Sequence, residues 1–115
     1  MIYTVTLNPS IDLYVEVDKL NPGYNNNIKT ERTLPGGKAI NVSRILSQIR
    51  IPTTATGFTG GYQGLFIKDW LSKEKILADF VDIKENNRIN IKIFEDLKET
   101  VINFQGPTIS SEEVE

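Results

Sequence analysis

Apolar and polar positions divide the chain into short runs with two different periods. Residues 2 to 8, IYTVTLN, are rich in β-branched and aromatic types and carry no charge. They predict a buried strand, which Asn8-Pro9-Ser10 ends. Between Leu13 and Val17, apolar Leu13, Val15 and Val17 alternate with Tyr14 and Glu16, the pattern of a peripheral strand with one wet face. Asn21-Pro22-Gly23 and the asparagines Asn25 to Asn27 supply turn chemistry, so Ile28 to Leu34 reads as a second strand folded back on it. The result is a flap-like hairpin.

After Pro35-Gly36-Gly37 the period changes. Ala39, Val42, Leu46 and Ile49, with Ile40 and Ile45 beside them, recur at helical spacing and predict an amphipathic helix opened by glycines. Thr53 to Thr59 predicts a strand closed by Gly60-Gly61. Leu65 to Leu71 predicts a second helix, with Phe66, Ile67 and Trp70 on its apolar face and Trp70 in the core. Three further short strands are expected at Phe80 to Ile83, Ile89 to Phe94 and Thr100 to Phe104, turned by Asn86-Asn87 and by residues 95 to 98. Near the end, Ser110 and Glu113 have capping-box spacing, and Glu112, Glu113 and Glu115 suit the positive end of a helix dipole. A helix that opens there and stops at once predicts that these residues are the front part of a longer protein.

Composition narrows the chemistry. With 115 residues the chain is one small domain, so a two-domain enzyme is excluded. Fifteen acidic against thirteen basic residues give a net charge of -2, which offers no electrostatic footprint for nucleic acid or an anionic membrane. No window approaches the roughly 20 apolar residues of a membrane span, and the first ten residues lack a signal-peptide pattern, so a cytoplasmic location is expected. Cysteine and histidine are both absent, which removes disulfides, thiolate and Ser-His nucleophiles and the usual zinc sites. Carboxylates, lysines and backbone groups remain, and no metal site is expected.

Two places stand out among those groups. Pro35-Gly36-Gly37-Lys38-Ala39-Ile40-Asn41 lies where a loop enters a helix, so free N–H groups and the helix dipole face whatever sits in front of it. Gly36 and Gly37 permit close approach, Lys38 adds charge, and Asn41 offers both a donor and an acceptor. A glycine turn with a solvated lysine is the plainer reading. A Walker A loop is excluded, because it would need glycine in place of Arg32 and Ser or Thr in place of Ala39. Asp12, just after the first strand, stands where open α/β sheets place ligand contacts, and its carboxylate is able to accept two sugar hydroxyls; an Asx-turn role is the alternative. Arg88, at the head of an alternating strand, has the residue type that best matches phosphate oxygens, or is an exposed strand end. Gly57 to Gly64 lacks dinucleotide-loop spacing and reads as a tight strand-to-helix turn, and Gly106-Pro107 explains the end of the last strand.

Taken in order, Thr6-Leu7-Asn8-Pro9-Ser10-Ile11-Asp12, Gly36 to Arg44, Gly60 to Gly64, Arg88 to Ile93 and Asn103 to Pro107 resemble the N-terminal part of the PfkB carbohydrate kinases of the ribokinase-like superfamily. The nearest branch is that of the 1-phosphofructokinases and tagatose-6-phosphate kinases. The resemblance implies an α/β fold, the N-terminal part of a Rossmann-like βαβ core carrying a small β-sheet lid. Residues 1 to 115 would be one portion of that domain, with lid strands at about 13–34 and 89–104. By the same resemblance Asp12 would hold sugar hydroxyls, Gly36, Gly37 and Asn41 would contact the sugar, and Lys38 and Arg88 would face the substrate or its phosphate. Asn90 and Asn103 are weaker candidates, and the lid strands would serve a homodimer.

Two departures from the family pattern are local. Ala39 stands where glycine is usual, and Asn87 replaces the threonine that commonly precedes the arginine. A third is larger: no aspartate here follows a glycine, so the family's G-A-G-D segment with its catalytic base has no counterpart, and neither does the N-x-x-E motif associated with Mg²⁺. No catalytic residue is therefore expected in this chain. The function implied is sugar-phosphate binding within a longer Mg-ATP-dependent kinase, acting on fructose 1-phosphate or tagatose 6-phosphate to give the corresponding 1,6-bisphosphate. Alone, the chain is expected to be inactive and not to bind Mg-ATP fully. The alternative is a stand-alone, non-catalytic sugar-phosphate-binding or dimerisation module.

Overall fold

A computed structural model of the chain describes residues 2–114. Its elements are β1 (Ile2–Thr6), β2 (Ser10–Glu16), β3 (Thr30–Gly36), α1 (Lys38–Gln48), β4 (Thr53–Thr59), α2 (Gly61–Lys73), β5 (Leu77–Asp82), β6 (Arg88–Glu95), β7 (Lys98–Ile102) and α3 (Ser111–Val114). Seven strands form two sheets, a parallel one in the order β1-β4-β5 and a mixed one in the order β3-β2-β6-β7. β1-α1-β4-α2-β5 is the expected βαβ core, interrupted after β1 by the β2-β3 hairpin. β2 pairs antiparallel with β3 and parallel with β6, which in turn forms a hairpin with β7, so the second sheet is the expected lid.

Both long helices cover the same face of the parallel sheet. Ile40 of α1, Ala55 of β4, Ile67 and Leu71 of α2 and Ile76 form one buried cluster, against which Ile11, Phe66, Trp70 and Phe80 pack. Each fully buried aliphatic side chain contributes about 1.5–3 kcal/mol, so this cluster anchors the core. Between β1, α1 and β4 the contact is polar instead: Ser43 Oγ lies 2.7 Å from Thr4 Oγ1 and accepts from Thr53 Oγ1 at 3.2 Å. Three buried hydroxyls satisfying one another remove most of the penalty of burying each.

Several expectations need correction. The first strand is not buried: it ends at Thr6, and although Thr4 and Thr6 face the helices, Tyr3 is 67% and Val5 60% exposed. Among the described residues no helix covers the face that they share with Leu77 and Val81, which are also exposed. In α1 the sheet takes Ile40 and Ser43, while Val42, Ile45 and Ile49 are exposed. The apolar residues of this helix occupy more than one face, and the one that meets the sheet is set by the hydroxyl contact. α2 begins at Gly61, four residues before the expected start, because Gly60 adopts an extended N-cap conformation and its carbonyl accepts from Gly64 N–H at 3.0 Å. Trp70 is only half-buried, at the margin of the core, with the Arg44 guanidinium 5.8 Å from its ring centroid. β5 starts at Leu77, ahead of the expected Phe80, and completes the core sheet beside β4.

Candidate functional site

Where β2 enters the lid, strand register gathers the polar residues. Ser10 stands opposite Gly36 on β3 and Arg88 on β6, and two residues on, Asp12 stands opposite Leu34 and Asn90. Alternate residues of a strand share a face, so Ser10, Asp12, Gly36, Arg88 and Asn90 all lie on one side of the sheet. Asp12 is therefore a strand residue, and the Asx-turn alternative falls away. Its carboxylate is buried and has no cationic partner among the described residues; Oδ1 accepts from Ser10 Oγ at 2.7 Å and from Asn90 Nδ2 at 3.3 Å. Asn90 is fixed in turn, its Oδ1 accepting from Phe104 N–H at 3.2 Å. Both protein bonds to Asp12 fall on one oxygen, which leaves Oδ2 to accept from a ligand.

Gly36 is what gives that oxygen space. A Cβ there would overlap Asp12 Oδ2 and come within 2.5 Å of Ser10 Oγ. Gly37 is needed for a second reason, because its φ of +117° lies in a region that side chains disfavour and a Cβ would stand 2.6 Å from Thr6 Cγ2. It is the N-cap of α1, and neither a side-chain cap nor an acidic residue in the first turn satisfies the leading N–H groups. Those amides and the positive end of the helix suit oxygen-rich ligands. Asn41 is half-buried in the first turn, its Oδ1 accepting from Arg44 Nη2 at 2.9 Å, so its amide nitrogen is free to donate.

The remaining candidates are placed unequally. Arg88 is half-buried and donates through Nε to the Asn8 carbonyl at 3.2 Å, which fixes its fork beside Ser10, and among the described residues its terminal nitrogens have no hydrogen-bond partner. Lys38 is exposed at the first position of α1 and makes no ion pair among the described residues. Asn103 is also exposed; the chain approaches Asn90 through the backbone of Phe104, so Asn103 contributes no side-chain contact to the cluster.

Two residues that were not among the candidates shape the cluster and its junction with the core. Ser10 is 1% exposed and orients the aspartate, a role legible only from the spacing of two along a strand and the opposing glycine. Asn87, next to Arg88, donates to Phe58 O at 3.0 Å and accepts from Gly60 N–H at 2.9 Å, tying the β4-α2 turn to the start of β6. The residue that departs from the family's threonine thus makes both a donor and an acceptor contact that set where the lid leaves the core.

A cleft of about 530 Å³ lies elsewhere, lined by Thr59, Gly60, Gly61, Tyr62, Leu65 and Asn86 among others. Asn87 already satisfies the Gly60 amide there, and the Asn86 side chain sits over Gly61. Thr59 Oγ1, which lines this cleft, is buried without a partner among the described residues, whereas the several polar side chains that strand register gathers are at Asp12. Among the described residues no three His, Cys, Asp or Glu side chains come together as a metal site. Among the described residues no helix is long and apolar enough to cross a membrane.

Comparison with known proteins bears on the family and the fold. The chain is 46% identical over 113 residues to a 1-phosphofructokinase of Bacillus subtilis, covering 98% of this chain and 37% of that protein. It is 36% identical over 115 residues to a tagatose-6-phosphate kinase of Staphylococcus epidermidis, covering 100% of this chain and 37% of that protein. The solved phosphofructokinase-2 from Escherichia coli in complex with fructose-6-phosphate superimposes with a TM-score of 0.89 at 25% identity, over 97% of this chain and 38% of that one. The chain spans about 37% of the length of these curated relatives. Residues 5–115 match the pfkB family carbohydrate kinases, and with a ribokinase-like α/β core and its lid sheet the chain belongs to that family.

Proposed function

We propose that this chain is the sugar-phosphate-recognising portion of an ATP-dependent ketose-phosphate kinase, which converts fructose 1-phosphate or tagatose 6-phosphate into the 1,6-bisphosphate. The observation that carries the reading is the half-satisfied Asp12 carboxylate, held by Ser10 and Asn90 on one oxygen and given space by Gly36 on the other. An aspartate fixed in this way accepts hydroxyls from a polyol without moving, so little ordering entropy is lost on binding. Asn41 and the uncapped amides at the start of α1 supply donors from the core side, while Arg88 and Lys38 supply positive charge. Phosphoryl transfer depends on holding the acceptor in line and neutralising charge, and these residues do the holding.

The described residues do not fit Mg-ATP. No carboxylate cluster converges, and Asn87 and Asn86 occupy the glycine-rich start of α2 from within the chain. ATP binding and the base that deprotonates the acceptor hydroxyl are assigned to the rest of a longer polypeptide, working in the cytoplasm. The uncovered face of the parallel sheet supports this, because parallel sheets are ordinarily covered on both sides. The lid has an apolar face as well, where Leu13, Ile91 and Ile102 fall in one row, and it is assigned to pairing with a second copy.

The test is made on the intact polypeptide containing these residues. It is expected to consume ATP with fructose 1-phosphate or tagatose 6-phosphate, and Asp12→Asn is expected to lower kcat/KM by about 10- to 100-fold, the cost of one charged hydrogen bond of about 1.5–3 kcal/mol. Turnover with neither sugar phosphate would refute the reading. A natural protein of 13.0 kDa that binds the sugar phosphate without turnover would be the stand-alone module instead.

A further inference from the structure

Asn41 and Arg44 stand three residues apart in α1, so their side chains are neighbours on one side of the helix. Asn41 follows the glycine turn directly, its N–H donating to the Gly37 carbonyl at 3.0 Å. Arg44 is half-buried one turn behind it. Its Nη2 donates to Asn41 Oδ1 at 2.9 Å, and its guanidinium lies 5.8 Å from the centroid of the Trp70 ring on α2, within the range in which an aromatic face attracts a cation.

Stability alone gives little account of Arg44. It lines a cleft of about 160 Å³ with Arg32, Trp70 and Glu74, yet among the described residues it forms no ion pair. Its Nε is buried with no hydrogen-bond partner among those residues. A buried N–H left unpaired weakens the fold, and the Trp70 ring offsets that only in part.

What Arg44 does for Asn41 is chemical. A guanidinium has N–H donors and no acceptor, so only the carbonyl end of the Asn41 amide is able to face it. A carboxamide that turns its oxygen one way turns its nitrogen the other. Asn41 Nδ2 is thereby directed away from Arg44, and without the guanidinium nothing in this pair would choose between the two ends of the amide.

We propose that Arg44 is a positioning residue: braced by Trp70, it fixes the Asn41 carboxamide so that Asn41 meets the sugar phosphate as a hydrogen-bond donor and not as an acceptor. This inference rests on the function proposed above.

Asn41→Asp and Arg44→Met test its two halves in the intact polypeptide. Aspartate keeps the shape and still accepts from Arg44, but offers no donor when ionised. Asn41→Asp is therefore expected to raise KM for the sugar phosphate by about tenfold or more, with the KM for ATP and the denaturation midpoint nearly unchanged. Arg44→Met keeps an unbranched stem against Trp70 and removes the donors. It is expected to raise the same KM by about 3- to 10-fold, the range of one neutral hydrogen bond, but by less than about twofold once Asn41 is already alanine. Arg44→Lys, which retains a donor, should recover most of the loss. A merely structural arginine would lose the same factor in both backgrounds. That equality, or a wild-type KM in either Asn41→Asp or Arg44→Met, would overturn the assignment. If wild type turns over the sugar phosphate and Asp12→Asn impairs it while one of those results is found, only this inference fails. If wild type neither turns over nor binds a sugar phosphate by calorimetry, both readings fail.

Discussion

At the scale of the single residue, the site depends on what is left out as much as on what is present. Gly36 faces Asp12 across the β2-β3 ladder, and the missing side chain is the space in which Asp12 Oδ2 stands. Gly36→Ala is therefore expected to displace the carboxylate or the strand and to weaken sugar-phosphate binding by at least tenfold. Calorimetric titration of the variant in the intact polypeptide checks this, and thermal unfolding separates it from general destabilisation. Asp12, Gly36 and Gly37 stood out as candidates in the sequence because glycine pairs and a carboxylate at a strand end are chemically unusual wherever they occur. Ser10 did not, because a serine becomes informative only once the strand register sets it 2.7 Å from the aspartate. Asn103 shows the reverse case: it sits in a matching motif, yet the fold brings the neighbouring Phe104 amide to Asn90 and leaves the Asn103 side chain exposed.

At the scale of the element, the junctions matter more than the interiors. Asn87 satisfies the Gly60 amide and the Phe58 carbonyl at once, so it joins β4, the start of α2 and the start of β6. Asn87→Ala leaves both backbone groups without a partner and is expected to cost about 1–3 kcal/mol, measured as a lower denaturation midpoint. The last element is joined differently. The capping box expected from Ser110 and Glu113 forms, with Glu113 Oε1 accepting from Ser110 N–H at 3.0 Å and Glu113 N–H donating to Ser110 Oγ at 3.3 Å. Glu113 Oε2 also accepts from Lys84 N–H at 2.8 Å, which ties α3 to the segment after β5. The Ser110 backbone N–H above all, and then that of Lys84, hold the Glu113 carboxyl below its ordinary range. A depressed folded-state value means that this tie is complete above the ordinary carboxylate range and is lost as pH falls through the lower, folded one. Amide exchange at Lys84 and Ser110, corrected for intrinsic rates, should therefore accelerate as the solution is acidified to below the ordinary carboxylate range. Ile67, in the core of α2, should stay protected.

At the scale of the whole molecule, the two sheets have different surroundings. The core sheet is covered on one face by α1 and α2, and its other face presents Tyr3, Val5, Leu77 and Val81. The lid sheet carries polar rows on one face and Leu13, Val15, Ile91 and Ile93 on the other. A 115-residue piece made alone is expected to self-associate through the uncovered core face. The intact polypeptide should lose that behaviour and retain only a lid-mediated dimer. Sedimentation at a series of concentrations checks both, with Leu13→Glu expected to shift the intact protein towards monomer; an intact protein that is monomeric before the change would refute the lid assignment.

Period and punctuation in the sequence by themselves determined most elements, the flap hairpin, the capping box and the family, because each rests on neighbours within a few residues or on ordered local motifs. What local pattern does not encode is which face of an element meets which other. β1 reads as buried because uncharged β-branched runs usually are, and only the packing of Thr4 against Ser43 shows that one of its faces is covered and the other bare. α1 reads as amphipathic around its aliphatic residues, yet the sheet receives Ile40 and a serine. The same holds for the site. Residues 12, 36 and 90 are candidates one by one in the sequence, and the register of three strands, a long-range property, is what brings them together.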